Sequence, residues 1–288
     1  PTAAYLYTSL QALKIELEGN CRLGGSGNIK YVTDSDTVRT AGIVSDPNTN
    51  KYLYINSTGG KGNLEINSHI WPLAVRNVEF GAGNITLNSG MDGCSIREDM
   101  TVKGSADVTM ASKENGRLAY NGATINNVLT VYQNGKVTVT SNGVTYKDKI
   151  PKALEVRNGV TVKGDGQLTV TSSGRNSNDG CQGYGMYIDG DLTIQDNGRV
   201  EAYSNGYNSS TGKYDGNDAI YITGTLKMEA RTYLHAETQN PTTDNNNYTT
   251  NGALRAINWD LVAKDKATGA LTNNRAVITY PAGGSIHE

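Results

Sequence analysis

The sequence LTVYQNGKVTVTS at residues 129–141 is followed by VTVKGDGQLTVTS at residues 160–172. Each segment has a short alternating run, a bend rich in Asn, Asp or Gly, and a second alternating run that closes on Ser. That closing motif, apolar-x-apolar-x-Ser/Thr, occurs eight times, and its leading residues are 11, 21, 23, 29, 31, 32 and 34 positions apart: Leu53, Leu64, Ile85, Val108, Val137, Leu168, Val200 and Leu234. Such a period is typical of stacked, like units that bury a shared core.

Two further runs accompany the motif at fixed offsets. Eight residues before five of the copies, a second alternating run begins at Met100, Leu129, Val160, Leu192 and Leu226. Four residues earlier stands an apolar position, namely Ile96, Ile125, Val156, Ile188 and Ile222. Alternation of period two directs one set of side chains inward and the other outward. The pattern predicts an all-β fold, a single-stranded right-handed parallel β-helix with three short strands per rung and about eight rungs.

The bends between these runs carry Asn134-Gly135, Asn158-Gly159 and Asn197-Gly198, which suit sharp corners with positive φ. Asn-Gly is also typical of an antiparallel hairpin, but the long period favours the parallel stack. The Ser/Thr residues that close the motif are predicted to form one internal ladder from Ser57 through Thr238.

We divide the chain into an N-terminal cap with the first irregular rungs (1–50), a parallel β-helix (51–262), and a C-terminal irregular rung with a tail (263–288). In the first part, Leu6, Leu10, Leu13 and Leu17 are spaced as in a helix, whereas Leu13, Ile15 and Leu17 also alternate as in a strand. Either element could cover the open end of the stack, because a bare edge recruits other chains.

Composition favours an exported protein. The chain has 34 Gly and 17 Tyr against one Phe, and its net charge of −2 offers no electrostatic footprint for nucleic acid. No apolar run is long enough for membrane insertion. The three cysteines, Cys21, Cys94 and Cys181, match neither a disulfide framework nor a zinc site. We expect an extracellular or cell-surface protein whose signal peptide has been removed, with an unknown oligomeric state.

The loops after the closing motif are rich in Asn, Asp, Gly and Ser, and they carry tyrosines. Flat phenol rings beside amides and carboxylates suit a sugar, whose ring stacks while its hydroxyls form hydrogen bonds. The predicted ligand-binding residues are Tyr184, Tyr187, Tyr207, Tyr214, Tyr221, Tyr248 and Asn217. The oxygen-rich segment around Asp215 and Asp218 is a candidate calcium site, although it lacks the spacing of an EF-hand. No other cofactor is predicted.

Catalysis requires titratable groups brought together, and the repeat aligns only isolated charges. No Ser/His/Asp or paired Glu arrangement emerges from the register. We therefore expect a non-catalytic surface protein that binds polysaccharide or host glycan. Two alternatives stay open: a polysaccharide lyase or glycoside hydrolase that uses loop carboxylates, and a purely structural surface stalk.

The segments GMYIDGDLTI at 185–194 and DAIYITGTL at 218–226 resemble bacterial surface β-helix proteins. The nearest group is the carbohydrate-binding, adhesin-type repeat family whose fold is similar to that of pectate lyases. The resemblance covers about residues 94 to 262. It implies binding of plant polysaccharide and of calcium, with Asp218 at an acidic position of the family motif.

Overall fold

A computed structural model describes residues 2–24, 39–46, 48–49, 51–112, 121–142, 144–145, 152–173, 175–176, 183–204, 218–229, 231–238, 254–259 and 275–279. Within these ranges the protein is all-β, with one 3₁₀ turn at Thr58–Gly60 and no α-helix. The strands are β1 (Thr2–Thr8), β2 (Ala12–Leu17), β3 (Asn20–Leu23), β4 (Arg39–Ser45), β5 (Tyr52–Ser57), β6 (Asn63–Ser68), β7 (Leu73–Val75), β8 (Val78–Ser89), β9 (Cys94–Ile96), β10 (Met100–Ser112), β11 (Ala123–Ile125), β12 (Leu129–Val131), β13 (Lys136–Ser141), β14 (Val144–Thr145), β15 (Lys152–Val156), β16 (Val160–Val162), β17 (Gln167–Ser172), β18 (Arg175–Asn176), β19 (Tyr184–Ile188), β20 (Leu192–Ile194), β21 (Arg199–Ser204), β22 (Ile220–Met228), β23 (Tyr233–Thr238), β24 (Leu254–Trp259) and β25 (Arg275–Thr279).

The strands form one 23-stranded sheet, apart from the small β14–β18 pair. They fall into three parallel series, each paired in chain order. Series A contains β1, β4, β7, β9, β11, β15, β19, the start of β22, and β24. Series B contains β2, β5, the starts of β8 and β10, β12, β16, β20 and the end of β22. Series C contains β3, β6, the ends of β8 and β10, β13, β17, β21 and β23.

This topology confirms the predicted all-β, parallel architecture, and it is compatible with a β-helix. Strands that follow one another along the chain belong to different series, and strands about thirty residues apart become hydrogen-bonded neighbours. Parallel strands cannot be joined by a tight hairpin, so the chain must travel through the other two series before it returns.

The predicted inward columns are confirmed by the register. Val137, Leu168, Val200 and Leu234 are consecutive partners in series C, and all are buried. In series A, Cys94 continues the column that runs through Leu154, Met186 and Ile220. These side chains belong to a single apolar cluster, and the outward neighbours are half-buried or exposed. The core is therefore one continuous column of aliphatic layers.

The predicted hydroxyl ladder needs one correction. Ser68, Ser89, Ser112, Ser141, Ser172, Ser204 and Thr238 are aligned in series C. Ser57 closes β5, which belongs to series B, and it is aligned with Leu17 instead. Its hydroxyl accepts a hydrogen bond from the Gly62 amide at 2.6 Å. The spacing of 11 between the first two copies is thus the step from one strand to the next, not the step between neighbouring strands of one series.

Backbone groups satisfy several of these hydroxyls. The Ser112 hydroxyl donates to the Met91 carbonyl at 2.9 Å, and the Ser204 hydroxyl donates to the Gly183 carbonyl at 2.9 Å. The hydroxyls of Ser68 and Ser89 bond to the carbonyls of Ile70 and Asp92 in the same way. The row of hydroxyls therefore anchors the chain where it leaves series C.

At the N-terminus the strand alternative is the right one. Residues 2–23 form β1, β2 and β3, which begin series A, B and C. Leu13 and Ile15 are partners of Leu53 and Ile55 in β5, so the period-two pattern decided the element. Leu10, which the helical reading needed, lies between strands and is exposed. At the other end, β25 pairs antiparallel with β23.

At the corners between series B and C that follow β12, β16 and β20, two consecutive residues lie in the left-handed region. In the first example these are Gln133 (φ 53°) and Asn134 (φ 66°). Gly135 follows without positive φ, and an added Cβ there would lie 2.6 Å from the Val102 carbonyl oxygen. At this corner Asn therefore supplies the left-handed conformation, and Gly permits the close approach of the neighbouring strand.

Replacing Asn134 with Ala is expected to lower the free energy of unfolding by about 1 kcal/mol, because Ala lacks the local hydrogen bonding that makes the left-handed region tolerable for Asn. Asn134→Gly is the matched control and should change it by less than about 0.5 kcal/mol. Urea unfolding followed by circular dichroism measures both. An equal loss of unfolding free energy in the Ala and Gly variants would contradict the conclusion that Asn134 is needed for the left-handed conformation.

Candidate functional site

The outward side chains of series A form a continuous row. In register these are Ser95, Thr124, Glu155, Tyr187 and Tyr221. A second pair of outward residues, Lys152 and Tyr184, is aligned at the starts of β15 and β19. The row changes along the stack from small hydroxyls, through a carboxylate, to aromatic rings. Parallel pairing keeps each of these side chains one strand spacing from the next.

A groove of about 830 Å³ runs along this row. We call it the series A groove, and its lining includes Trp71, Asp92, Asn121, Thr124, Lys152, Glu155, Arg157, Tyr184 and Tyr187. It thus has an aromatic residue at either end, with amide, hydroxyl and charged groups between them. Trp71 is half-buried and packs beside the small apolar cluster of Ala41, Ile70 and Met91.

Three of the predicted tyrosines meet at one end of the groove. The ring centroids of Tyr187 and Tyr221 are 5.2 Å apart, and those of Tyr184 and Tyr187 are 5.6 Å apart. Tyr184 stacks on Tyr221 at 5.8 Å with an interplanar angle of 22°. All three residues are half-buried. The arrangement is an aromatic cluster whose rings support one another.

Glu155 organises the middle of the groove. Its Oε1 lies 3.0 Å from Lys152 Nζ, and its Oε2 accepts a hydrogen bond from Asn121 Nδ2 at 2.9 Å. Arg157 Nε lies 3.7 Å from Oε1, a weaker ion pair on a side chain that is 55% exposed. Because Glu155 and Lys152 are only 15% and 20% exposed, their contact is protected from solvent better than a typical surface pair.

Lys152 also joins the charged centre to the aromatic cluster. Its ammonium lies 4.0 Å from the centroid of the Tyr187 ring, within the range of a cation–π contact. Asn121 orients this strand end as well, because its Oδ1 accepts a hydrogen bond from the Lys152 amide at 3.1 Å. The groove floor is therefore held by a connected network before any ligand arrives.

The acid–base chemistry available in the groove is limited. Cys94 lines it, but the thiol is almost fully buried, and burial raises its pKa to about 12. It therefore stays protonated and is a poor nucleophile at neutral pH. The groove carboxylates are Asp92 and Glu155, and the second is paired with Lys152. What the groove offers is directional polar contacts and stacking surfaces.

The structure brings together Tyr184, Tyr187 and Tyr221 from the predicted set. The remaining predicted ligand-binding residues, Tyr207, Tyr214, Tyr248 and Asn217, lie outside the described residues, as does Asp215 of the predicted metal site. Asp218 is fully buried, two residues before the start of β22. Among the described residues no group of three or more His, Cys, Asp or Glu side chains is placed to hold a metal ion. The calcium site stays a prediction.

Sequence reasoning missed Trp71, Asn121, Lys152, Glu155 and Arg157. A usable signal existed for Glu155, because it stands one residue before Val156, as Tyr187 and Tyr221 stand before Ile188 and Ile222. Extending that outward column backward would have found it. Asn121 also keeps a fixed offset, because it stands four residues before Ile125, as Tyr184 stands before Ile188. Trp71 stands four residues before Val75, which the register places in the same column as Ile96.

The described part of the chain has no helix with the length and apolarity that crossing a bilayer would require. Comparisons with protein-family models, with curated proteins and with solved structures give no match for this chain.

Proposed function

We propose that this chain is an exported bacterial surface protein that binds polysaccharide or host glycan, without catalysis, through the series A groove. Its framework would be a right-handed parallel β-helix of about eight rungs, and the groove its adhesive face. The single observation that carries the proposal is the cluster of Tyr184, Tyr187 and Tyr221 beside the polar network of Glu155.

Aromatic rings provide the first part of the argument. The apolar face of a sugar ring stacks on a phenol or indole ring, and aromatic residues give a large contact area at low conformational cost. Rings that already pack on one another, as these do at 5.2–5.8 Å, lose little further freedom when a ligand arrives. Trp71 provides another aromatic surface in the same groove.

Polar groups provide the second part. Sugar hydroxyls both donate and accept hydrogen bonds, and the groove presents amide, hydroxyl, carboxylate and cationic groups in Asn121, Thr124, Glu155 and Arg157. Two acidic and two basic side chains line it, which is balanced charge. Its volume of about 830 Å³ is within the size range of protein sites that bind small ligands.

The length of the row favours an extended ligand. From Thr124 to Tyr221 there are three strand spacings, roughly 14 Å. A linear glycan chain laid across the strands could contact the polar centre and the aromatic cluster together. Contacts spread over several units explain how a shallow surface can hold a polymer that offers no single strong anchor.

The test is binding by the double variant Tyr187→Ala and Tyr221→Ala. In a pull-down with insoluble polysaccharides or on a glycan array, we expect retention to weaken at least tenfold, which corresponds to about 1.4 kcal/mol of binding free energy. The matched control is Tyr52→Ala with Tyr54→Ala, which removes another stacked tyrosine pair, 5.8 Å apart, on series B. If retention is unchanged in the groove variant, or is lost equally in both variants, the series A groove is not the glycan-binding face.

Incubation of the wild-type chain with pectin, alginate and host glycans tests the absence of catalysis. We expect no unsaturated or reducing ends to appear. Their appearance would establish the lyase or hydrolase alternative. A chain that retains none of the tested glycans would favour the structural stalk.

A further inference from the structure

At both ends of the stack, the outermost strands have one partner strand each among the described residues. At the C-terminal end, β24 covers the edge of β22, and β25 covers the edge of β23 in the opposite direction. At the N-terminal end, β1, β2 and β3 each pair with one strand only among the described residues. Unpaired backbone donors and acceptors on an edge are a template for pairing with another chain.

Apolar side chains are also concentrated at this end. Among the side chains that the structure describes, which leave out those of residues 255–259 and 275–279, the exposed large hydrophobic residues are Tyr5, Tyr7, Leu10 and Tyr52. All four belong to β1, to β5 or to the bend between β1 and β2. The inward residues Leu6, Leu13, Ile15 and Leu23 are only partly buried, whereas their counterparts deeper in the stack are fully buried. Among the described residues, no further layer covers the N-terminal layer of the core.

The sequence of β2 identifies the partner that fits this edge. Ala12–Leu17 reads ALKIEL, which is nearly symmetric about Ile15. Paired antiparallel with a second copy of itself and centred on Ile15, it would place Leu13 opposite Leu17 on the inward side. On the outward side, Lys14 would lie opposite Glu16, twice by symmetry. Opposite charges directly across an antiparallel pair are favourable, and like charges are not.

We infer that two copies of this chain associate through their N-terminal ends, with β2 paired to β2 around a two-fold axis that passes through Ile15. The same axis places β1 of one copy against β3 of the other. Tyr5 and Tyr7 would then face the strand that carries Arg22, and an aromatic ring beside a guanidinium is a favourable contact. An isologous interface of this kind closes at two copies.

The charge pattern of β2 favours this arrangement over a head-to-tail fibre. Charged residues on edge strands commonly prevent pairing. Lys14 and Glu16 instead alternate in sign, so only the antiparallel self-paired register matches them. They already form an ion pair of 2.7 Å within one copy, on side chains that are 66% and 35% exposed.

Charge reversal tests the register. Sedimentation equilibrium of the full chain is expected to show a monomer–dimer equilibrium. Lys14→Glu places Glu opposite Glu, and Glu16→Lys places Lys opposite Lys, so each single variant should weaken dimerisation at least tenfold. The double variant K14E/E16K restores opposite charges and should dimerise within about threefold of wild type. Mixing the two single variants should give a heterodimer, because every outward pair is then of opposite sign.

The control reverses one charge of another ion pair, formed by Glu79 and Lys103, which lie 2.8 Å apart on the internal strands β8 and β10. Lys103→Glu should leave dimerisation unchanged. Thermal unfolding by circular dichroism confirms that each variant is folded at the temperature of the measurement. A wild-type chain that is monomeric up to its solubility limit overturns the inference. The inference is also overturned if the charge reversals leave dimerisation unchanged, or if the two single variants do not form a heterodimer when mixed.

Discussion

Replacement of Phe80 with Ala is expected to lower the free energy of unfolding by about 3–5 kcal/mol. Phe80 is the one phenylalanine of the chain and is fully buried, and it ranks among the largest such side chains in the core. In series B it is aligned between Ile55 and Val102. Truncation would leave a cavity between two aliphatic layers that the hydrogen-bonded backbone holds apart, so the site cannot collapse fully.

Urea unfolding followed by circular dichroism measures this loss. The matched control is Thr101→Ala on the neighbouring strand, because Thr101 faces outward next to Val102 and is half-buried. We expect the control to change the free energy of unfolding by about 0.5 kcal/mol. Comparable losses in the two variants would contradict the assignment of inward and outward faces in series B.

Gly93→Ala is expected to lower the free energy of unfolding by about 1–3 kcal/mol, and also to weaken glycan retention. An added Cβ at Gly93 would lie far inside van der Waals contact with the backbone carbonyl of Gly122. That carbonyl accepts a hydrogen bond from the Cys94 amide at 3.1 Å, and the Gly93 amide donates to the Asn121 carbonyl at 2.8 Å. The methyl group would therefore separate β9 from β11 directly under the series A groove.

Gly81→Ala is the control for this variant. Its added Cβ would approach the Asn56 side-chain amide at 2.8 Å, and that amide can rotate away. We expect a change within about 1 kcal/mol and unchanged retention, since reduced freedom of the unfolded chain offsets part of any crowding. Equal stability of Gly93→Ala and wild type would show that β9 and β11 do not approach as closely as described.

The predicted strands and their inward residues were largely recoverable from the sequence. Alternation of period two is a local property, and it places Val137, Leu168 and Val200 inward whatever their neighbours are. The repeat near thirty residues then aligned these positions correctly in series C. The prediction was wrong at Ser57, where the spacing between copies of the motif is irregular, because the motif alone does not say which series its strand joins.

The candidate site was recoverable only in part. Tyr187 and Tyr221 occupy equivalent positions in successive repeats, and the structure brings their rings together. The rest of the groove was not predicted, although Asn121 and Trp71 stand at the same offset from their strands as Tyr184 does. Which of these side chains line one groove depends on how the strands pair, and that is decided over the whole sheet.

By itself, the sequence determined that the chain is a parallel all-β stack and which side chains fill its core, because local alternation and a long repeat are both properties of the linear order. Tertiary structure decided which outward groups become neighbours. It aligned Glu155 with Tyr187, set Lys152 over that ring, and left the edge of β2 unpaired among the described residues. These relations depend on backbone hydrogen bonds between residues far apart along the chain, and no local pattern encodes them.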